Sequence, residues 1–204
     1  MNADGSAPNK PNKPRKSATF VARSAYYLFL IYGILILAYA AYTVADAHAY
    51  QAVEKARFEN VRVANNYEPR HHVAQGDVIG ELEVPRLGIQ TIVEQGDSPE
   101  ILRRAVGHLV GTSMPGNQGN VALAGHRDTF FRPLRNIRQG DTVTLKTPEG
   151  TFQYQVESTS VVPPSDIQVL QPSGGQTLTL ISCFPFYYVG PAPNRFVVRA
   201  RATN

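Results

Sequence analysis

Three residues in the second half of the chain could together do nucleophilic chemistry. Cys183, the only cysteine in 204 residues, ends the run "QTLTLISC". His126 ends "GNVALAGH", and Arg195 opens "RFVVRARA" shortly after the cysteine. A thiol is only a few per cent ionised at neutral pH, so it needs a partner, usually an imidazole, to act as a nucleophile. A nearby cation would stabilise the oxyanion formed on attack at an acyl group, an effect of about 2.7–4 kcal/mol at the transition state. Free cysteine is also among the most buried residue types, so a structural thiol is the competing reading.

Position separates these residues from others of their kind. Alternation in "QTLTLISC" puts Thr177, Thr179, Ile181 and Cys183 on one strand face, with the thiol at the strand end beside the loop "FPFYYVGPAP". His126 has the same setting, a rigid strand followed by a loop, where reactive groups are both fixed and accessible. An antiparallel neighbour of the cysteine strand would bring Arg195 close to Cys183. His48 falls in a helical stalk, His71 and His72 fall in a linker, and His108 follows a glycine after a short helix. Asp128 is better read as a loop-stabilising turn residue than as an orienter of His126. Arg199 and Arg201 alternate with apolar residues and read as a solvated strand face.

The elements that must hold these groups are mostly β. From Asp77 onward, short alternating runs are broken by turn residues: "VIGELEV", "IQTIVEQ", "NVALAGH", "DTVTLKT", "TFQYQVESTSVV", "QTLTLISC" and "RFVVRARA". Ser98 and Pro99 open a short capped helix, "TFFRPLRNI" reads as a helical turn, and "SDIQVLQP" reads as another. Seven or eight strands with small helices between them suit a closed barrel or a sandwich.

What precedes this region is different. Residues 24–45, "SAYYLFLIYGILILAYAAYTVA", carry no charge over 22 positions. As a helix that run is about 33 Å long, against a hydrocarbon core of roughly 30 Å. It reads as one retained membrane span, too long for a signal-peptide core. Lys10, Lys13, Arg15, Lys16 and Arg23 precede it, opposed by Asp4 alone. The positive-inside rule then leaves the N-terminus in the cytoplasm and exports the rest from a single-pass anchor. Of the 20 basic and 16 acidic residues, five and one lie in residues 1–45, so residues 46–204 carry 15 of each and no net charge. A nucleic-acid partner would need the basic excess on the folded part. The expected organisation is a basic tail over 1–23, the span over 24–45, a helical stalk and linker over 46–76 and the β domain over 77–204.

With these residues in place the chain resembles the sortases, membrane-anchored cysteine transpeptidases, and most closely those called class D. Their T-L-x-T-C motif stands here as Thr179-Leu180-Ile181-Ser182-Cys183. The loop and arginine follow in "FPFYYVGPAPNRFVVRA", and the histidine motif is in "GNVALAGHRDTFFRPL". The resemblance covers about residues 77–204 and implies an eight-stranded β-barrel with short helices. It implies His126, Cys183 and Arg195 as catalytic residues. Ser182, where threonine is usual, becomes a residue whose hydroxyl can bond the substrate or the arginine. It also implies surface proteins with a C-terminal LPxTG-like sorting signal as substrates, a primary-amine acceptor, and no metal or organic cofactor. Glu81, Glu83 and Asp97 read as a solvated face rather than a calcium site. An L,D-transpeptidase is disfavoured because "LISCFP" lacks the histidine and glycine of the S-H-G-C-x-R context. A membrane-tethered β-scaffold with a structural cysteine, or an inactive homologue, is the non-enzymatic alternative.

Overall fold

The uncharged run from Ser24 lies inside one helix, α1, Lys16–Val63. Its segment Phe20–Val61 is long and apolar enough to cross a membrane, and it presents Phe29, Leu37 and Tyr39 outward, each at least 70% exposed. The computed structural model describes residues 16–63, 73–172, 174–188 and 190–203. It divides into two units, Met1–Ala45 and Asp46–Asn204. Residues 46–63 of the helix thus belong with the β domain, whereas the sequence reading set them apart as a stalk. The tail expected over 1–23 falls largely outside the described residues, as do His71 and His72 of the linker.

The β domain is a closed barrel of eight strands among the described residues: β1 Val78–Val84, β2 Ile89–Gln95, β3 Val106–His108, β4 Gly119–Gly125, β5 Thr142–Lys146, β6 Thr151–Val162, β7 Gln176–Phe184 and β8 Asn194–Ala202. Their order around the wall is β1-β2-β3-β4-β7-β8-β6-β5, and β5 closes on β1. The β2/β3 and β4/β7 pairs are parallel and the others antiparallel. A parallel pair needs a crossover, and the short helix α2, Pro99–Arg104, supplies the one from β2 to β3. Ser98 caps α2 as expected, its hydroxyl accepting from Ile101 N at 3.4 Å. Alternate residues point inward, and Leu82, Val93, Leu123, Leu145, Leu178 and Val198 are among those that fill the interior.

Among the described residues, two buried patches of the outer wall bear on the site. The first lies under helix residues 46–63. Strand β3 covers only Val93–Gln95 of β2, and beyond it the Gln51 amide takes over, its Oε1 accepting from Ile92 N at 2.8 Å. Phe58 is buried here. Glu81, read as solvated from alternation alone, is 1% exposed because the helix covers it, and Lys55 Nζ lies 3.2 Å from its carboxylate. Glu83 pairs with Lys146 on the neighbouring strand.

The second lies under the β6–β7 connection. Asn120 of β4 is 1% exposed and bonds at both ends of its amide. Its Oδ1 accepts from Thr177 Oγ1 at 3.2 Å and Thr179 Oγ1 at 2.8 Å, and its Nδ2 donates to Val169 O at 3.1 Å. Arg199 Nη2 donates to the same carbonyl at 3.0 Å, so this arginine does not stand in solvent as its alternation suggested. The threonine face of β7 is thereby dry, polar and paired.

His108 in β3 is structural. Its ring is buried, with Nδ1 2.8 Å from the Gln95 side-chain amide and Nε2 donating to Ser113 O at 3.0 Å. Burial pushes its pKa below the ordinary imidazole value, opposed in part by the bond to the Ser113 carbonyl.

Two outcomes follow from these buried groups. An unfolded histidine titrates near ~6.5. Below that pH the unfolded chain binds a proton that the folded ring resists, so stability falls as pH drops through that value. Thermal melts between pH 7.5 and 5.5 should show this loss, and His108→Gln should flatten it; an equal slope in the variant refutes the assignment. Asn120→Ala takes the acceptor from the buried Thr179 hydroxyl and one of the partners from the Thr177 hydroxyl and the Val169 carbonyl, at a cost of about 1–3 kcal/mol. That corresponds to a Tm lower by on the order of 5 °C, and a change under about 2 °C would contradict the network.

Candidate active site

Pairing registers, rather than local sequence, bring His126, Cys183 and Arg195 together. Strands β7 and β8 are antiparallel with Cys183 opposite Arg195, so the thiol and the guanidinium leave directly facing positions on the same side of the sheet. Directly opposed residues have Cα atoms about 4.5–5.5 Å apart. On the other flank β7 runs parallel to β4, with Gly125 level with Ser182. The next residue on each strand is His126 and Cys183. Histidine, cysteine and arginine thus sit side by side at one rim of the barrel, on three adjacent strands.

All three are half-buried and line one groove of about 400 Å³ on the outer wall. Its floor includes Ala124 and Ile181, and Ser182 also contributes. One side is the β6–β7 connection, including Pro163, Pro164, Ile167 and Leu170; the other includes Asp97 and Leu102. The connection is stiffened by its prolines and by a 3-10 turn, Ile167–Leu170, capped where Asp166 Oδ1 accepts from Gln168 N at 3.0 Å. Asn120 and Arg199 hold it against the wall through the Val169 carbonyl.

Ser182 is 2% exposed, and its hydroxyl donates to Gly125 O at 3.0 Å. This bond ties β7 to β4 one residue before the cysteine and histidine. Gly125 is required there by close approach: a Cβ on it would sit 2.7 Å from the ring of Phe131. Phe131 is fully buried and its N–H donates to His126 O at 3.0 Å, so the turn after the histidine folds back under it. Arg195 Nη1 donates to the Asn194 carbonyl at 3.0 Å and the Ala192 carbonyl at 3.3 Å, which anchors the guanidinium at the end of the β7–β8 loop. Asp128 is exposed and makes no hydrogen bond to His126 among the described residues.

The loop aromatics divide into two groups. Phe186 packs with Phe184 and Phe196, ring centroids 6.1 and 5.3 Å away, against the barrel core. Tyr187 and Tyr188 are exposed and lie beside arginines of the β4–β5 segment, Arg135 at 5.4 Å and Arg127 at 5.8 Å from the ring centroids. None of the three lines the groove. Sequence reasoning passed over Arg127 and Asn120. Adjacency to His126 was the available signal for the first, and an amide inside an apolar strand run was the signal for the second.

A thiol, an imidazole and a guanidinium around one groove are the groups that acyl transfer through a thioester requires. Comparison with known proteins points the same way. Residues 82–203 match the family profile described as Sortase domain. Sortase D of Bacillus subtilis is 32% identical over 124 residues, which are 60% of this chain and 63% of that protein, so the chain spans less than two thirds of that relative. A Clostridium perfringens structure described as a Sortase D5 transpeptidase superposes with a TM-score of 0.65 at 27% identity, covering 75% of this chain and 99% of that one. Clostridium perfringens sortase C, solved with the C-terminal cell wall sorting motif, gives a TM-score of 0.60 at 28% identity over 73% of this chain and 85% of that one. The eight-stranded barrel, its class D likeness and the extent of the profile match together establish that this chain belongs to the sortase family.

Proposed function

We propose that the chain is a membrane-anchored cysteine transpeptidase. The observation that carries the reading is the register that puts His126, Cys183 and Arg195 at one groove. In the first half-reaction the Cys183 thiolate attacks the carbonyl carbon of the threonine in an LPxTG-like sorting signal. Arg195 stabilises the resulting oxyanion or holds the substrate backbone. The tetrahedral adduct collapses to a thioester as the C–N bond breaks, and the His126 imidazolium gives its proton to the leaving amine. In the second half-reaction His126, now neutral, takes a proton from an incoming primary amine. The amine attacks the thioester, an amide forms, and the Cys183 thiolate leaves. No step draws on a metal or an organic cofactor.

Two further observations support the substrate class. The groove is mostly apolar and walled in part by Pro163 and Pro164, which suits a peptide held for attack at one bond. The sortase C to which the barrel is similar was solved with a cell wall sorting motif. The apolar helix supports anchoring in the cytoplasmic membrane. The basic residues before it support a cytoplasmic N-terminus and an extracytoplasmic groove. Ser182 ties β7 to β4 beside His126 and Cys183 by donating to Gly125 O, and its oxygen keeps lone pairs with which to accept from the substrate or Arg195.

The test uses the full chain in detergent micelles with pooled LPxTx and LAxTx peptides and hydroxylamine, reading threonine hydroxamates by mass spectrometry. The wild type should form a product and Cys183→Ala none. His126→Ala should lose about 10²–10⁴-fold in rate, the range of a general acid–base. Arg195→Ala should lose about 10²–10³-fold, as for an oxyanion donor. Equal product from Cys183→Ala would refute the mechanism. A folded wild type with no product across several pH values would favour the inactive-homologue reading.

A further inference from the structure

The β4/β7 ladder ends at Gly125 and Ser182, and His126 and Cys183 are the first residues past it. Residues beyond a ladder have no backbone pairing to keep them level, so side chains must do so. On the near side the Ser182 hydroxyl holds Gly125 O. On the far side a single guanidinium acts. Arg127, next to His126, reaches across to the loop that follows Cys183. Its Nη1 donates to Pro185 O at 3.1 Å and its Nη2 donates to Gly190 O at 2.9 Å. The same group lies 5.8 Å from the centroid of the Tyr188 ring. The two carbonyls belong to opposite arms of the loop joining Cys183 to Arg195.

We propose that Arg127 is a positioning residue for acyl transfer: it clasps both arms of the β7–β8 loop to the strand end that carries His126, and so holds Cys183 and Arg195 in register with the imidazole. The inference rests on the acyl-transfer reading of the site. Arg127 does not line the groove, so its effect passes through the residues that do. The planar fork of a guanidinium can donate to two separate carbonyls at once. A lysine ammonium is a single point charge at the end of a flexible stem and cannot span them in the same way. Arg135, beside Tyr187, touches only a ring of this loop and makes no bond to its backbone among the described residues.

The experiment compares wild type, Arg127→Ala and Arg127→Lys as full chains in detergent micelles. The Cys183 thiol is titrated and the count corrected for unfolded chain, whose thiol also reacts, by the folded fraction read from near-UV circular dichroism. Loss of near-attack geometry by about an ångström costs on the order of 100-fold in rate. Arg127→Ala should therefore lower kcat by about 10- to 100-fold per titrated thiol, with KM unchanged within about twofold. Arg127→Lys should fall between the two. Amide exchange at the loop residues Phe186, Tyr187, Tyr188, Gly190 and Ala192 should speed up about tenfold or more in Arg127→Ala, while β4, β7 and β8 stay protected. A kcat per thiol within about twofold of wild type overturns the proposal, and so does a lowered kcat with unchanged loop exchange. If the wild type itself makes no product, the acyl-transfer reading fails. The exchange measurement then decides the clasp on its own, and unchanged loop protection in Arg127→Ala overturns it.

Discussion

The site depends on strand β7 being paired on both sides in opposite senses. It runs parallel to β4 and antiparallel to β8. Parallel neighbours carry their C-terminal ends to the same rim, which brings His126 beside Cys183. The antiparallel neighbour begins where β7 ends, which brings Arg195 opposite the thiol. A slip of one residue in either ladder would send Cys183 into the barrel and Ser182 out of it, because side chains alternate. The inward residues Leu178 and Leu180, both fully buried, make such a slip costly. Register at the rim is therefore enforced by apolar packing well below it.

The outward face of β7 is under a different kind of control. Its threonines are dry and paired through Asn120, and the same amide holds the groove wall through Val169 O. Floor and wall are thus joined by one buried polar group. Paired in full, such a network fixes geometry better than apolar contact does, because each member has a preferred direction. Helix residues 46–63 cover β1 and β2 in their turn, where Gln51 accepts from the Ile92 N–H that the short strand β3 does not reach and Lys55 sets its ammonium beside the Glu81 carboxylate.

Much of this was legible in the sequence. The longer strands showed period-two alternation, and the ends of two of them named His126 and Cys183 as a pair. The capped helix at Ser98 and the turn at Asp166 carried local signals that tertiary packing left intact. What could not be read depended on partners far away along the chain. Strand β3 has three residues, too few to show any period. Glu81 and Arg199 alternate like solvated residues and become covered only once α1 and the β6–β7 connection fold over them. The bond from the Ser182 hydroxyl to Gly125 O arises from a parallel register that no local pattern encodes. Adjacency to His126 singled out Arg127 but not its role, since its partners lie 58 and 63 residues away.

The β4/β7 pairing also bears on when the groove residues meet during folding. The bond from Ser182 to Gly125 closes a loop of 57 residues, and the β5–β6 hairpin must be accommodated inside that loop. Closure entropy weighs against such a contact, while hairpins and short helices form from neighbours. A partly folded chain can hold every strand of local origin and still leave its cysteine without an imidazole beside it. The meeting of thiol, imidazole and guanidinium is then a property of completed topology and not of secondary structure.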